Sequence, residues 1–241
     1  GLTDDITVMA MLPYIQKDML HRHRNRNTFG TVTRGFGDLK LSGLYRLYAQ
    51  ESSAGAAHRF HANFGVGLPT GGINETGHTL MGLDQPLPYP MQLGSGTVDL
   101  FPGGTYTGRL QDLSWGLQYI HTLRLGHNDR DYSLGDERKA TGWVAYQFSP
   151  WFSSSFRLDW KRWDNIDNAD VALNPAMVPT ARTDLRAGRR LDTLIGVNIG
   201  PQSWGQEHIF SIEFGVPAYQ DLHGPQLQTD WLFTGGWRFN F

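Results

Sequence analysis

Apolar and polar residues alternate one by one along several stretches of this chain, and this alternation restricts its fold more than any other feature. In RFHANFGVGLP (59–69) every second residue is apolar, and FSSSFRLDWK (152–161) follows the same pattern for most of its length. A period of two residues is typical of a β-strand with one apolar face. We predict about ten strands, because similar runs occur at 38–48, 190–200, 208–216 and 229–241, and weaker ones near 6–16, 97–107, 114–125 and 137–148.

The composition excludes several kinds of site and partner. The chain has no cysteine, so disulfides, thiolate metal sites and a cysteine nucleophile are excluded. Its formal net charge of −2 gives no basic surplus, and we expect no nucleic-acid partner. No stretch approaches the ~18 consecutive apolar residues of a membrane-spanning helix. The length suits one large β domain, to which we assign residues 1–241.

The predicted connections between the runs alternate between short and long. Short ones are expected at 51–58, 108–112, 149–150 and 201–207, and long ones at 21–34, 70–96, 126–136, 164–189 and 217–228. Bacterial outer-membrane barrels have short periplasmic turns and long extracellular loops. The predicted strands of ~10 residues or more also have the length needed to cross a bilayer, whereas ordinary strands average ~5–6 residues.

A soluble β-sandwich or a lipocalin-like barrel also shows alternation, and alternation alone does not tell which face points inward. Strand length, aromatic residues at strand ends and small or charged residues on the opposite face favour the membrane class. The aromatic residues expected at the membrane interfaces are Tyr14, Trp151, Trp160, Trp163, Trp231 and Trp237. We therefore predict an all-β, antiparallel transmembrane β-barrel in the outer membrane of a Gram-negative bacterium, in contact with lipid and lipopolysaccharide.

The closing run ends on alternating aromatic residues and resembles the C-terminal signal by which the outer-membrane insertion machinery recognises its substrates. The signal residues would be Trp237, Phe239 and Phe241. Other segments resemble a family of outer-membrane barrels described as transporters of the phenol-degradation MetA type: MLPYI (11–15), GFGDLKLSGLYRLY (35–48), GVGLPTGG (65–72), LGSGTVDLFPGGTY (93–106) and GVPAYQDLHGPQLQTDW (215–231). The resemblance implies passage of small molecules, no catalytic residues, and further N-terminal sequence that would make a barrel of 12 strands.

The polar faces of the predicted strands would line the lumen of such a barrel. Charged candidates for this lining are Asp38, Lys40, Arg46, Arg59, His61, Arg124, Arg157, Asp159, Lys161, Asp192, Glu213, Asp230 and Arg238. Two interpretations stay open. Arg–carboxylate pairs could fill and neutralise the interior, because unpaired charges in a narrow space are costly. Alternatively, a narrow polar path with a basic ring could favour anionic or aromatic solutes.

Metal binding and catalysis have weak support in the sequence. His21 and His23 project to one face of an extended segment, but the neighbouring arginines oppose a cation, and we predict no metal site. No Ser–His or Asp–His spacing indicates catalysis, so we predict neither an enzyme nor a cofactor. The loops 71–96 and 164–189 are predicted to gate the mouth of the barrel.

The predicted function is therefore a channel or transporter-like barrel for a small solute of aromatic, hydrophobic or anionic character. The alternative is a non-conducting barrel with a structural or partner-binding role and a salt-bridged interior.

Overall fold

The computed structural model describes residues 3–22, 26, 28–52, 55–80, 82–200 and 207–240, and its regular structure is almost entirely β-strand. Two short 3₁₀ turns lie at Tyr89–Met91 and Pro179–Ala181. Within those ranges, no helix is long and apolar enough to span a membrane. The strands are β1 (Ile6–Met11), β2 (Tyr14–Arg22), β3 (Thr28–Phe36), β4 (Leu39–Glu51), β5 (Ala56–Leu68), β6 (Thr76–Thr79), β7 (Gly82–Pro86), β8 (Val98–Leu100), β9 (Gly103–Leu110), β10 (Leu113–Leu125), β11 (Tyr132–Ser133), β12 (Glu137–Ser149), β13 (Phe152–Trp163), β14 (Asp167–Asn168), β15 (Gly188–Ile199), β16 (Glu207–Leu222) and β17 (Leu232–Asn240).

One large antiparallel sheet of eleven strands organises the chain. Its order is β1, β4, β5, β8 with β9, β10, β12, β13, β15, β16 and β17. β8 and β9 share one position between β5 and β10, with Phe101 and Pro102 separating them. The sheet therefore has ten strand positions, as the alternating runs predict. Among the described residues, no pairing joins the edge strands β1 and β17.

The strands β2 and β3 pair with each other in a separate hairpin. In the chain, β2 follows β1 and β3 precedes β4. They pair from Tyr14 opposite Phe36 to Arg22 opposite Thr28. Pro13 interrupts the ladder because it has no backbone N–H, and its carbonyl accepts a hydrogen bond from the Gly37 N–H at 2.8 Å. The predicted loop at 21–34 is therefore wrong over most of its length, since the β-branched residues of 28–36 extend β3.

Short and long connections alternate in the structure as predicted. Short links separate β4 from β5, β9 from β10 and β12 from β13, and long ones span 69–97, 126–136, 164–187 and 223–231. The predicted short connection at 201–207 lies almost entirely outside the described residues. Because consecutive strands of the large sheet are antiparallel neighbours, all short connections lie at one end of the sheet and all long ones at the other. β16 continues to Leu222, so the predicted loop at 217–228 begins later than expected.

The apolar faces of the strands are their exposed faces. Ile195 on β15 exposes 65% of its surface and Phe214 on β16 exposes 53%. On the opposite face, Thr141 and Asp192 expose only 6% and 3%. We call this second face, with its glycines and its polar and charged side chains, the polar face. A soluble sandwich buries the apolar faces of its strands, so the burial here is the reverse of that arrangement.

The buried apolar residues lie almost entirely in three long connections, 69–97, 126–136 and 164–187, which we call the cap. Tyr89 packs edge-on against Tyr132 with ring centroids 4.8 Å apart, and Ile166 completes this cluster. The backbone N–H of Asp170 donates to the Tyr89 hydroxyl at 3.0 Å. The short pairing of β11 with β14 joins the second and third connections. Other buried apolar residues of the cap are Leu87, Met91, Leu93, Ala181 and Ala187.

Candidate functional site

Ion pairs occupy the centre of the polar face. Arg157 on β13 pairs with Glu213 on β16, and Gly196 on the intervening β15 has no side chain to obstruct them. Next to this pair, Asp159 accepts from the Thr141 hydroxyl at 2.8 Å and lies 3.0 Å from Lys139 Nζ. The predicted lumen residues Arg157, Asp159 and Glu213 therefore each have a partner of opposite charge, as expected if Arg–carboxylate pairs neutralise the interior.

Further pairs lie closer to the cap. Lys161 Nζ is 2.7 Å from a Glu137 carboxylate oxygen, and the Arg190 guanidinium is 2.9 Å from Asp192. Arg124 pairs with Asp99, which also accepts from the Thr97 hydroxyl at 2.8 Å. The partners Glu137 and Lys139 were missed by the sequence analysis, although the weak alternating run at 137–148 carries them on one face.

Neutral hydrogen bonds link three strands on the other side of the polar face. The amides of Asn63 on β5 and Gln118 on β10 each donate to the Thr105 hydroxyl on β9 at 2.8 Å. None of these three residues was among the lumen candidates, which were chosen for their charge, although the alternating run at 59–69 places Asn63 on the polar face. Within the described chain, the buried atoms Arg157 Nε and Asp192 Oδ1 have no hydrogen-bond partner, so the polar face keeps unused capacity for polar contacts.

Asp38 and Lys40 lie at the junction between the sheet and the cap. The Asp38 carboxylate accepts from the Gly71 N–H at 2.9 Å and from both the N–H and the hydroxyl of Ser95 at 2.8 Å. Asp38 therefore holds both ends of the first cap segment. The Lys40 ammonium lies over the Phe101 ring, 5.4 Å from its centroid.

The remaining lumen candidates lie away from the central ion pairs. Arg46 pairs with Asp5 and Arg59 with Glu51, each at 2.6 Å, and His61 lies opposite Arg46 in the register of β4 and β5. The last two lumen candidates, Asp230 and Arg238, are exposed and do not join the central ion pairs. Asp230 lies in the irregular segment before β17, and Arg238 lies on this edge strand.

The indole of Trp143 lies flat on the polar face. A Cβ atom placed on Gly116, its partner across β10 and β12, would be 2.1 Å from Trp143 Cζ2, so only glycine permits this approach. Trp143 lines two neighbouring cavities, one of about 380 Å³ that includes Arg157 and Glu213, and one of about 530 Å³ towards the short connections. It therefore separates the two spaces.

The aromatic residues of the last strand lie on the apolar face. Trp237 donates through Nε1 to His208 Nδ1 at 3.1 Å, and their rings stack at 5.9 Å. Phe239 contacts the same histidine, while Phe241 lies outside the described residues. Trp163 differs from the predicted interface position, because it shares the parity of Lys161 and lies on the polar face.

The weak metal candidates do not assemble a site in the described structure. His21 Nε2 lies 2.8 Å from the Thr31 hydroxyl and stacks on Phe29, while His23 lies outside the described residues. In the ranges that the structure covers, no group of three or more histidine or acidic side chains is arranged to hold a metal ion.

A cavity of about 420 Å³ lies beneath the cap, where the polar face meets the long connections. Its lining combines the aromatic rings of Tyr89 and Trp163 with cationic groups that include Lys17 and Arg186. The Trp163 indole N–H donates to the Arg186 carbonyl at 2.7 Å, so the ring and the arginine are held together. The predicted gating loops 71–96 and 164–189 thus meet over a polar, partly aromatic cavity.

Comparison with protein-family models and with curated proteins finds no match to this chain.

Proposed function

We propose that this chain is an outer-membrane β-barrel of the bacterial envelope, which admits a small solute through the capped end and along its polar face. The observation that carries the proposal is the reversed burial of the sheet. Apolar side chains cover one face of strand after strand, while threonine, asparagine and aspartate side chains of the other face, such as Thr141, Asn63 and Asp192, are buried. The resemblance of several segments to the phenol-degradation MetA type of barrel supports the same proposal.

The exposed apolar face has a free-energy cost in water that a bilayer would remove. Exposing a large apolar side chain instead of burying it costs about 1.5–3 kcal/mol. Residues such as Phe64, Leu117 and Ile195 repeat this exposure on strands across the sheet. Monomeric soluble proteins rarely carry apolar patches of this extent. Lipid is therefore the surrounding that suits the sheet best.

Strand length fits the thickness of a bilayer. β4, β5, β10 and β12 each contain 13 residues. At ~3.3 Å per residue and a tilt of about 45°, such a strand spans ~30 Å along the membrane normal, which equals the hydrocarbon thickness. Aromatic side chains, including Trp151 and the Trp237–His208 stack, lie near the short connections, where an interfacial girdle is expected.

Two observations favour passage of a solute. Cavities follow one another along the polar face, from about 420 Å³ beneath the cap to about 380 Å³ at the ion pairs and about 530 Å³ beyond Trp143. The cap that lies over one end has its own apolar core, and hydrogen bonds of Asp38, Lys17 and Trp163, among others, attach it to the strands. A cap of this kind can move as a unit while the strands keep their pairing.

The competing function is a non-conducting barrel with a structural or partner-binding role. It is favoured by the ion pairs Arg157–Glu213, Lys139–Asp159 and Lys161–Glu137, which connect different strands on the polar face. In that case the pairs would rigidify the barrel, and the cap would present the binding surface.

Single-channel conductance of the purified, folded protein in planar lipid bilayers separates these functions. We expect discrete steps whose ion selectivity changes in Arg157→Gln, because this cation lies on the polar face. Arg182→Gln removes an exposed cation of the cap and is the matched control. A silent bilayer in which insertion is verified by protease protection would favour the non-conducting barrel. A protein that stays monomeric in buffer and does not enter liposomes would overturn the membrane proposal altogether.

A further inference from the structure

We propose that the cavity beneath the cap is a binding site for a small organic anion with a flat, unsaturated body, of the arene carboxylate class, and that Lys17 and Arg186 bind its carboxylate. This inference rests on the proposed function, for which it names the class of solute. The cavity has about 420 Å³, within the ~300–1,000 Å³ of typical small-molecule sites.

The charges around the cavity leave two cations uncompensated. Five cationic side chains line it, and three of them have carboxylate partners: Arg124 with Asp99, Lys161 with Glu137, and Arg190 with Asp192. The lining carboxylate of Asp164 is paired with Arg138. Within the described chain, no carboxylate lies within ion-pair distance of the two remaining cations, Lys17 and Arg186. The cavity therefore carries a surplus of positive charge.

Lys17 is held in place and keeps one donor unused. Its ammonium donates to the carbonyl oxygens of Pro90, at 2.8 Å, and Gln92. An ammonium group has three donors, so one is left for a ligand. Burial lowers the pKa of Lys17 from its ordinary value, because two carbonyl dipoles compensate the lost hydration less well than an anion would. A carboxylate in the cavity would supply the missing compensation.

Arg186 is fixed by its backbone, while its guanidinium has almost no protein partner. Its N–H donates to Asn165 Oδ1 at 2.9 Å and its carbonyl accepts from the Trp163 indole at 2.7 Å. The guanidinium makes one long contact, 3.4 Å to the Pro225 carbonyl. Burial lowers the pKa of this arginine too. A planar guanidinium with unused donors is suited to a carboxylate, which it can bind through two parallel hydrogen bonds.

The rest of the lining suits a flat apolar body. The Trp163 indole donates its N–H to Arg186, and its ring, with the Lys161 ammonium 5.7 Å from the centroid, forms an aromatic part of the lining. The Tyr89 ring and the side chains of Leu93, Leu134 and Ile166 complete the apolar part of the lining. An arene placed there can stack on Trp163 while its carboxylate reaches the two cations.

Calorimetric titration of the purified full chain in detergent micelles tests the site without requiring conduction. The probes are benzoate, benzyl alcohol, benzylammonium and inorganic phosphate. We expect benzoate to bind at least tenfold more tightly than each of the others, which corresponds to ~1.4 kcal/mol. Equal binding of benzyl alcohol would overturn the role of the cations. Equal binding of phosphate would overturn the role of the flat body. This comparison uses the wild-type protein and does not depend on the folding of a variant.

Substitutions then assign the residues. Lys17→Gln and Arg186→Gln should each weaken benzoate binding about tenfold, Arg186→Lys should weaken it less, and Arg182→Gln should leave it unchanged. Unchanged benzoate affinity in both Gln variants would overturn the assignment. Conductance of the same preparations distinguishes the two proposals. A conducting protein that does not bind benzoate refutes the site alone, whereas a silent protein that binds it refutes passage and keeps the site.

Discussion

Ile195 on β15 and Ile166 in the cap are the same residue type in opposite surroundings. Ile195 exposes 65% of its surface on the apolar face of the sheet, whereas Ile166 exposes 8% and packs with Tyr89 and Tyr132. The cap follows the rule of a water-soluble domain, with apolar side chains inside. The strands follow the reverse rule. A chain with both burial patterns is suited to an apolar environment around the strands and to water around the cap.

Truncating the two isoleucines should give the largest difference between the regions. Ile166→Ala should destabilise the cap by about 2–5 kcal/mol, because it leaves a cavity in the apolar cluster that Ile166 forms with Tyr89 and Tyr132. Ile195→Ala removes no contact of this cluster and should leave the exchange of the cap amides unchanged. Hydrogen exchange of cap and strand amides measures both. Equal effects at the two positions would show that the cap has no separate core.

A charged substitution should have the opposite ranking and destabilise the sheet more than the cap. Ile195→Arg should cost about 2–4 kcal/mol in a bilayer, the value found for arginine on the lipid face of a barrel near the midplane. Val171→Arg places the same side chain on a cap residue that is 96% exposed and should change stability by at most about 0.5 kcal/mol. Unfolding by denaturant in liposomes checks both variants. A tolerated Ile195→Arg would argue against lipid around the sheet.

Charge pairs provide a third comparison, between the polar face and the cap surface. A double-mutant cycle on Arg157 and Glu213, with methionine and glutamine as the replacements, should give a coupling of about 1–2 kcal/mol. The exposed pair Arg182–Asp184 should give no measurable coupling, since water screens it. If the two couplings were equal, the interior would be as well hydrated as the surface.

The smallest effect at neutral pH concerns the Tyr132 hydroxyl. Burial in the cap raises its pKa from about 10 to about 12. The folded cap then holds this proton more tightly than the unfolded chain, so its stabilising contribution is complete below pH ~10 and is lost as pH rises towards 12. Exchange of cap amides should accelerate over that window, and Tyr132→Phe should reduce the acceleration. A profile that does not change in the variant would refute this assignment.

Much of the sheet could be predicted from the sequence, because period-two alternation is a local signal. The run at 59–69 alone identifies β5 and separates Phe60 and Phe64 from His61 and Asn63. The same signal placed Arg157, Asp159 and Glu213 on the polar face. It did not reveal that Arg157 meets Glu213 across β15, since that contact depends on the register of three strands. Membrane insertion and the solute stay predictions.

The cap could not be predicted to the same extent. The segment 71–96 has three prolines and no regular period, so its sequence does not indicate that Tyr89 and Met91 are buried, as they are in the structure. Both Lys17 on β2 and Arg186 in the third long connection line the cavity beneath the cap, although they are far apart in the chain. Only the folding of the cap brings Lys17 and Arg186 into one cavity, so no local sequence pattern predicts their proximity.

The contact between Gly116 and Trp143 has a consequence for tuning the protein. The Trp143 indole occupies the space that a Cβ atom at position 116 would need, so the position of the ring depends on residue 116 being glycine. Gly116→Ala would force the ring towards the middle of the interior by more than 1 Å, because non-bonded carbons need ~3.5 Å. Trp143→Ala would do the opposite and join the two cavities into one. In the proposed channel, this pair would therefore set the diameter at this level without any change to an ionic group.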